Sequence, residues 1–134
     1  MNKKNVTVEN TFALAVQNQQ KNNFKIAEKL YKKILSVNPD HFRSIFLLGS
    51  LSAQIKNLDS AKQLLQKAIQ INSNYAEAHY NLGNVLIELG EKQKAISFYE
   101  KAINLKSDHI RAYSNLFFTL LHFEKAAPQA LQAV

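Results

Sequence analysis

The chain has no cysteine and no tryptophan, only two prolines and three glycines, and two arginines among its seventeen basic residues. Without cysteine there is neither a disulfide nor a thiolate metal site. That suits a reducing compartment, and a cytoplasmic location is expected. So little proline and glycine leaves few positions for turns in a chain of 134 residues. No apolar run approaches the roughly 18 residues of a membrane span. The opening MNKKNVTVEN carries lysines but no apolar stretch, so it does not read as a secretory signal. The histidines His41, His79, His109 and His122 form no pair at metal-ligand spacing on one helix face. There is no glycine-rich phosphate loop. No Ser or Glu has an orienting partner that would make it a nucleophile or an acid/base group. Neither a cofactor nor catalysis of the chain's own is expected.

Apolar residues are plentiful by contrast, at 46%, which is enough for a core. The formal net charge is +7. A basic balance of that size can mark a nucleic-acid or anionic-membrane partner. The lysines are scattered along the chain, at Lys21, Lys25, Lys29, Lys62, Lys67, Lys92, Lys94 and Lys101. They form no run of five and no basic stripe interleaved with aromatics. A solvated outer surface is the expectation, with no nucleic-acid partner.

An internal repeat organises the chain. Residues 8–41, 42–75 and 76–109 lie over one another without gaps, each 34 residues long, and a fourth line starts at Ile110. Leu14, Leu48, Leu82 and Leu116 share a column, and Ala15, Gly49 and Gly83 share the next. Ala27, Ala61 and Ala95 form another, followed by Tyr31, Leu65 and Tyr99. Apolar positions recur at three- and four-residue steps, so each line reads as two amphipathic helices. The break inside a line falls at Asn22-Asn23, Lys56-Asn57 and Leu89-Gly90, where Asn and Gly tolerate the left-handed conformation that ends a helix. Between lines, Asp40, Asn74 and Asp108 are the expected N-caps.

These columns resemble the tetratricopeptide repeat over residues 8 to about 124, most closely in AEAHYNLGNVLIELGEKQKAISFYEKAINL. The resemblance implies an all-α, superhelical solenoid of antiparallel helix pairs, the first helix of each pair lining a concave groove. The expected organisation is a tail over 1–7, repeats over 8–41, 42–75 and 76–109, and a partial fourth repeat over 110–134. The groove columns then supply Phe12, Phe46 and Tyr80, which could equally pack between adjacent helices. They also supply Asn81 and Asn115, Asn84 and Phe118, and Arg111. Asn side chains can both donate to and accept from the backbone of an extended peptide. A column of alternating sign, Glu9, Arg43, Glu77 and Arg111, suggests ion pairing between neighbouring first helices. Some tetratricopeptide proteins hold the terminal carboxylate of heat-shock chaperones with Lys, Asn and Arg. The matching positions here are Phe12, Val16, Leu47, Glu77 and Asn81, so that role is not implied.

The junction AYSNLFFTLLHF is similar to the last repeat helix of SPINDLY-like, O-linked N-acetylglucosamine transferase-type proteins. Their groove carries a ladder of asparagines, matched here by Asn81 and Asn115 but not by Ala13 or Leu47. The function implied is protein or peptide binding without catalysis, as the recognition region of a larger protein. The alternative is a free-standing adaptor that self-associates. Phe117, Leu120, Leu121 and Phe123 make the fourth line apolar, which suits a second copy or an adjoining domain. A short covering helix is expected to begin near Pro128.

Overall fold

The computed structural model describes the backbone of residues 3–132 and the side chains of residues 7–122. Seven helices follow one another: α1 (Lys3–Gln20), α2 (Phe24–Val37), α3 (Phe42–Gln54), α4 (Leu58–Ile71), α5 (Ala76–Glu88), α6 (Lys92–Leu105) and α7 (Ile110–Gln132). They form two compact units, Met1–Ser73 and Asn74–Val134. In the first, α1 packs on α2, α3 on α4, and α2 and α1 on α3. In the second, α5 packs on α6 and α6 on α7. The all-α architecture of helix pairs is the one expected.

The turn inside each pair is the same device three times. Asn22, Lys56 and Gly90 occupy one column and have φ of 64°, 66° and 82°. The residue after each donates its N–H five residues back: Asn23 to Asn18, Asn57 to Ser52 and Glu91 to Leu86, all at 2.8 Å. That is the Schellman closure, which satisfies carbonyls a helix end leaves free. At the second turn the left-handed residue is Lys56, not the Asn beside it.

Helix starts differ from expectation. His41 caps α3, its Nδ1 accepting from the Ser44 N–H at 3.2 Å. His109 Nδ1 accepts from the Ala112 N–H at 3.1 Å at the head of α7. The caps therefore fall one residue after Asp40 and Asp108, because α3 and α7 begin at Phe42 and Ile110. Tyr75 holds the same column before α5 and makes no side-chain cap.

The first unit's core gathers Phe12 and Ala15 of α1, Ala27, Tyr31 and Ile34 of α2, and Leu48 and Leu51 of α3. The small-residue column sets how closely a pair can approach. A Cβ added at Gly83 would lie 2.6 Å from Tyr99 Cε1. Phe117 takes that column in α7, and α7 passes without a break through the position where the other lines turn. The short helix expected from Pro128 is thus part of α7, and the expected tail is helical from Lys3. The leucine column is not uniform either. α2 covers Leu48, whereas Leu14 is 51% exposed because no described helix precedes α1 to cover it.

Candidate functional site

The first helix of each pair carries the candidate residues, and each unit builds its own face from them. In the first unit Phe12 is buried against Tyr31 of α2, with ring centroids 6.2 Å apart, and beside His41 at 5.5 Å. The Arg43 guanidinium lies 4.4 Å above the Phe12 ring, a cation–π contact. Phe46 is half-buried and stacks on Phe42 at 6.5 Å. The buried Tyr31 donates its hydroxyl to Gln19 Oε1 at 2.7 Å, and Gln19 Nε2 donates in turn to Gln54 Oε1 at 3.2 Å.

The second unit repeats this plan with more polar groups. Tyr80 is buried against Tyr99 and His109, at 6.0 and 4.8 Å, under the Arg111 guanidinium at 5.0 Å. Arg111 also reaches Glu77 Oε2 at 3.0 Å, the ion pair the sign alternation suggested. His109 Nε2 is 2.7 Å from Glu77 Oε1, close in distance although the ring is not aligned for a directed hydrogen bond. Glu9, Phe12, Tyr31, His41 and Arg43 thus recur as Glu77, Tyr80, Tyr99, His109 and Arg111, two lines further on. Phe12 and Tyr80 serve this packing, and both are buried.

A polar cluster sits beside Tyr80. The Tyr99 hydroxyl donates to Asn84 Oδ1 at 2.6 Å. Asn115 Nδ2 donates to the same oxygen at 2.8 Å and to the Tyr80 hydroxyl at 3.2 Å. Both roles of Asn84 Oδ1 are acceptor roles, so its amide nitrogen is turned the other way. The Thr119 hydroxyl donates to the Asn115 carbonyl at 2.7 Å. Asn84, Tyr99, Asn115 and Thr119, with Ile87, Glu88 and Phe118, line an open cavity of about 330 Å³. Phe118 is 62% exposed, its ring 4.1 Å from that of His122. Asn81 is partly buried on α5.

Burial governs the titrations. It pushes the Tyr99 phenol up to about 12. The same cause takes Tyr31 to about 12. His41 is lowered, first by burial and then by Arg43, with Glu9 opposing. Its neutral ring is the form that can accept the capping bond.

Of the groove residues named from the sequence, Asn84, Asn115 and Phe118 line this cavity; Tyr99 and Thr119 line it too and were not named. Tyr99 was visible as a packing column, and a buried tyrosine hydroxyl needs a partner, which was the usable signal. Among the described residues no cluster of His, Asp or Glu is placed to hold a metal ion.

Helix pairs closed by one repeated turn define an all-α helical-repeat protein. Tetratricopeptide-repeat profiles match residues 12–76 and 54–116. The chain belongs to the tetratricopeptide repeat family. No match was found among curated protein sequences. Among solved structures, the O-GlcNAc transferase of Thermobaculum terrenum superposes with a TM-score of 0.84 at 29% identity. That match covers 90% of this chain but 23% of the transferase. The protein MamA matches with a TM-score of 0.84 and 32% identity, over 87% of this chain and 68% of that one. The first repeat domain of Spaghetti (RPAP3), bound to an HSP90 peptide, shares the fold at 16% identity and a TM-score of 0.84, covering 87% and 93% of the two chains.

Proposed function

We propose that this chain is a non-catalytic scaffold that binds an extended peptide, with the amide cluster on α5 and α7 of the second unit as its contact. The observation that carries this reading is the pairing of Asn84 and Asn115. Asn84 Oδ1 is taken up by Tyr99 and Asn115, so the Asn84 side-chain N–H groups and the Asn115 side-chain oxygen are the edges left for a ligand in the cavity that both residues line. One donor and one acceptor side by side complement the C=O and N–H of a peptide group. Asn81, Arg111 and the exposed Phe118 ring extend the contact along the same face. Tyr80 supports the helices that carry it, while Phe12 and Phe46 pack within the first unit. Two of the similar proteins give context: Spaghetti holds an HSP90 peptide, and the other is an O-GlcNAc transferase.

The finer reading is that the chain is the cytoplasmic recognition region of a larger enzyme of the O-GlcNAc transferase type. It rests on the junction wording and on the similarity to the T. terrenum enzyme. A catalytic domain in frame after Val134 is the expected finding, and a stop codon there contradicts it. For peptide binding, Asn81→Ala with Asn115→Ala should weaken capture of the parent's ligands from an array of extended peptides. Unchanged capture by the double variant counts against the amide face.

A second reading has its own observation. Phe117 is 68% exposed, and Leu120 and Leu121 are also open, an apolar surface of the kind that marks association. Phe123 lies outside the described side chains. A free-standing adaptor that self-associates through α7 should sediment as a dimer at high concentration, and a strict monomer rules that out.

A further inference from the structure

The charge of the molecule is not evenly spread. Met1–Ser73 holds eleven basic and four acidic residues, whereas Asn74–Val134 holds six of each. The whole net charge of +7 therefore belongs to the first unit. Within it, α2 packs inward through Ala27, Tyr31 and Ile34. Helical steps of about 100° place Lys32, Lys25, Lys29 and Lys33 side by side on an outward arc of roughly 100°. All four are exposed. Lys32 bonds Glu28 at 3.3 Å, while Lys25, Lys29 and Lys33 make no ion pair among the described residues. The scatter seen along the sequence thus becomes a stripe on the helix.

The repeat supplies an internal comparison. In α4 the same four columns read Asp59, Gln63, Gln66 and Lys67, and in α6 they read Gln93, Ser97, Glu100 and Lys101. Both sets are neutral overall, on helices that serve the same scaffold role. Four lysines at these positions are therefore no requirement of the fold. Beside the stripe, Ile26 and Val37 are 51% and 52% exposed, and Ile26 borders an apolar hollow with Phe24 and Ile55.

We propose that the outer face of α2 is a peripheral docking site for an anionic phospholipid surface. A flat face of lysines with aliphatic neighbours suits a bilayer interface, where cationic heads meet phosphates and apolar side chains enter the headgroup boundary. Lysine in place of arginine, and no exposed aromatic within the stripe, fit nucleic acid less well, since base and phosphate recognition favours arginine and stacking. No described helix is long and apolar enough to cross a membrane, so the contact is superficial and salt-sensitive.

The test is co-sedimentation of the full chain with vesicles of phosphatidylglycerol and phosphatidylcholine, against phosphatidylcholine alone, at low salt. Retention on the anionic vesicles only, released by salt, is expected. A surface lysine contributes roughly fivefold to such binding. Lys25→Gln, Lys29→Gln and Lys33→Gln together should lower it about a hundredfold. The matched triple Lys92→Gln, Lys94→Gln and Lys101→Gln in the second unit should leave it nearly unchanged. Ile26→Ser with Val37→Ser should weaken vesicle binding but not retention of a short DNA duplex. Circular dichroism verifies that each variant is folded. No retention by the parent, equal loss in both triples, or capture by duplex DNA or polyglutamate without capture by vesicles overturns the proposal.

Discussion

Ser44 is a buried residue whose hydroxyl oxygen has no hydrogen-bond partner among the described residues. Its column reads Ala78 and Ala112 further on, both fully buried. An unmet buried hydroxyl costs about 1–3 kcal/mol, so Ser44→Ala should raise stability by about 1 kcal/mol, read as a higher urea midpoint. His41 shows a second residue-scale effect. Its pKa is held below 6.5 in the folded chain, so the folded state prefers the neutral ring. The stability this confers is fully present above about pH 6.5 and is lost as pH falls through the lowered value. His41→Asn keeps a capping acceptor that does not titrate. Urea midpoints taken at about pH 7.5 and pH 5 should differ more for the parent than for this variant. Neither effect was legible in the sequence. Which residue caps a helix depends on where the helix starts, and a shift of one residue moved that task from Asp40 to His41.

At the scale of the helix, the sequence was far more informative. Close approach of two backbones demands a small residue at the same point in every pair, so Ala27, Ala61 and Ala95 stand out as a column and all three are completely buried. Ala61→Leu should overpack α3 against α4 and cost about 1–3 kcal/mol. Leu82→Ala should leave a cavity costing roughly 2–5 kcal/mol. A thermal melt compares both with the parent, and unchanged midpoints would mean that the register is wrong. Helix ends were harder to read. The column of Asn22 and Gly90 announces a left-handed turn, but Lys56 adopts the same φ because the surrounding pairs impose it. Pro128 suggested a new helix start, yet α7 continues through it. Phe117 supplies the physical reason that the fourth line does not close as a pair, since the three earlier lines need Ala or Gly where it stands.

For the molecule as a whole, the 34-residue period disclosed the fold, and the sign alternation hinted at a longer one. Aromatic ring, histidine cap and arginine recur every second line, once in each compact unit. That grouping depends on which arginine lies over which ring, and sequence columns do not encode it. The candidate site was half legible. Asparagines at groove columns could be named, but their hydrogen bonds decide which amide edge is left for a ligand. Charge behaved in the same way: a total of +7 says nothing of where it sits until helices place Lys25, Lys29, Lys32 and Lys33 on one face.

The central claim is that Asn84 and Asn115 meet the backbone of a bound peptide. The most direct measurement is the titration of the isotope-labelled chain with an extended peptide ligand, following side-chain amide signals by NMR. The Asn84 and Asn115 NH2 resonances should shift together with backbone signals of α5 and α7, and saturate at one affinity. Saturable binding whose shifts lie only on α2 and α4, with both Asn side chains unmoved, would contradict it.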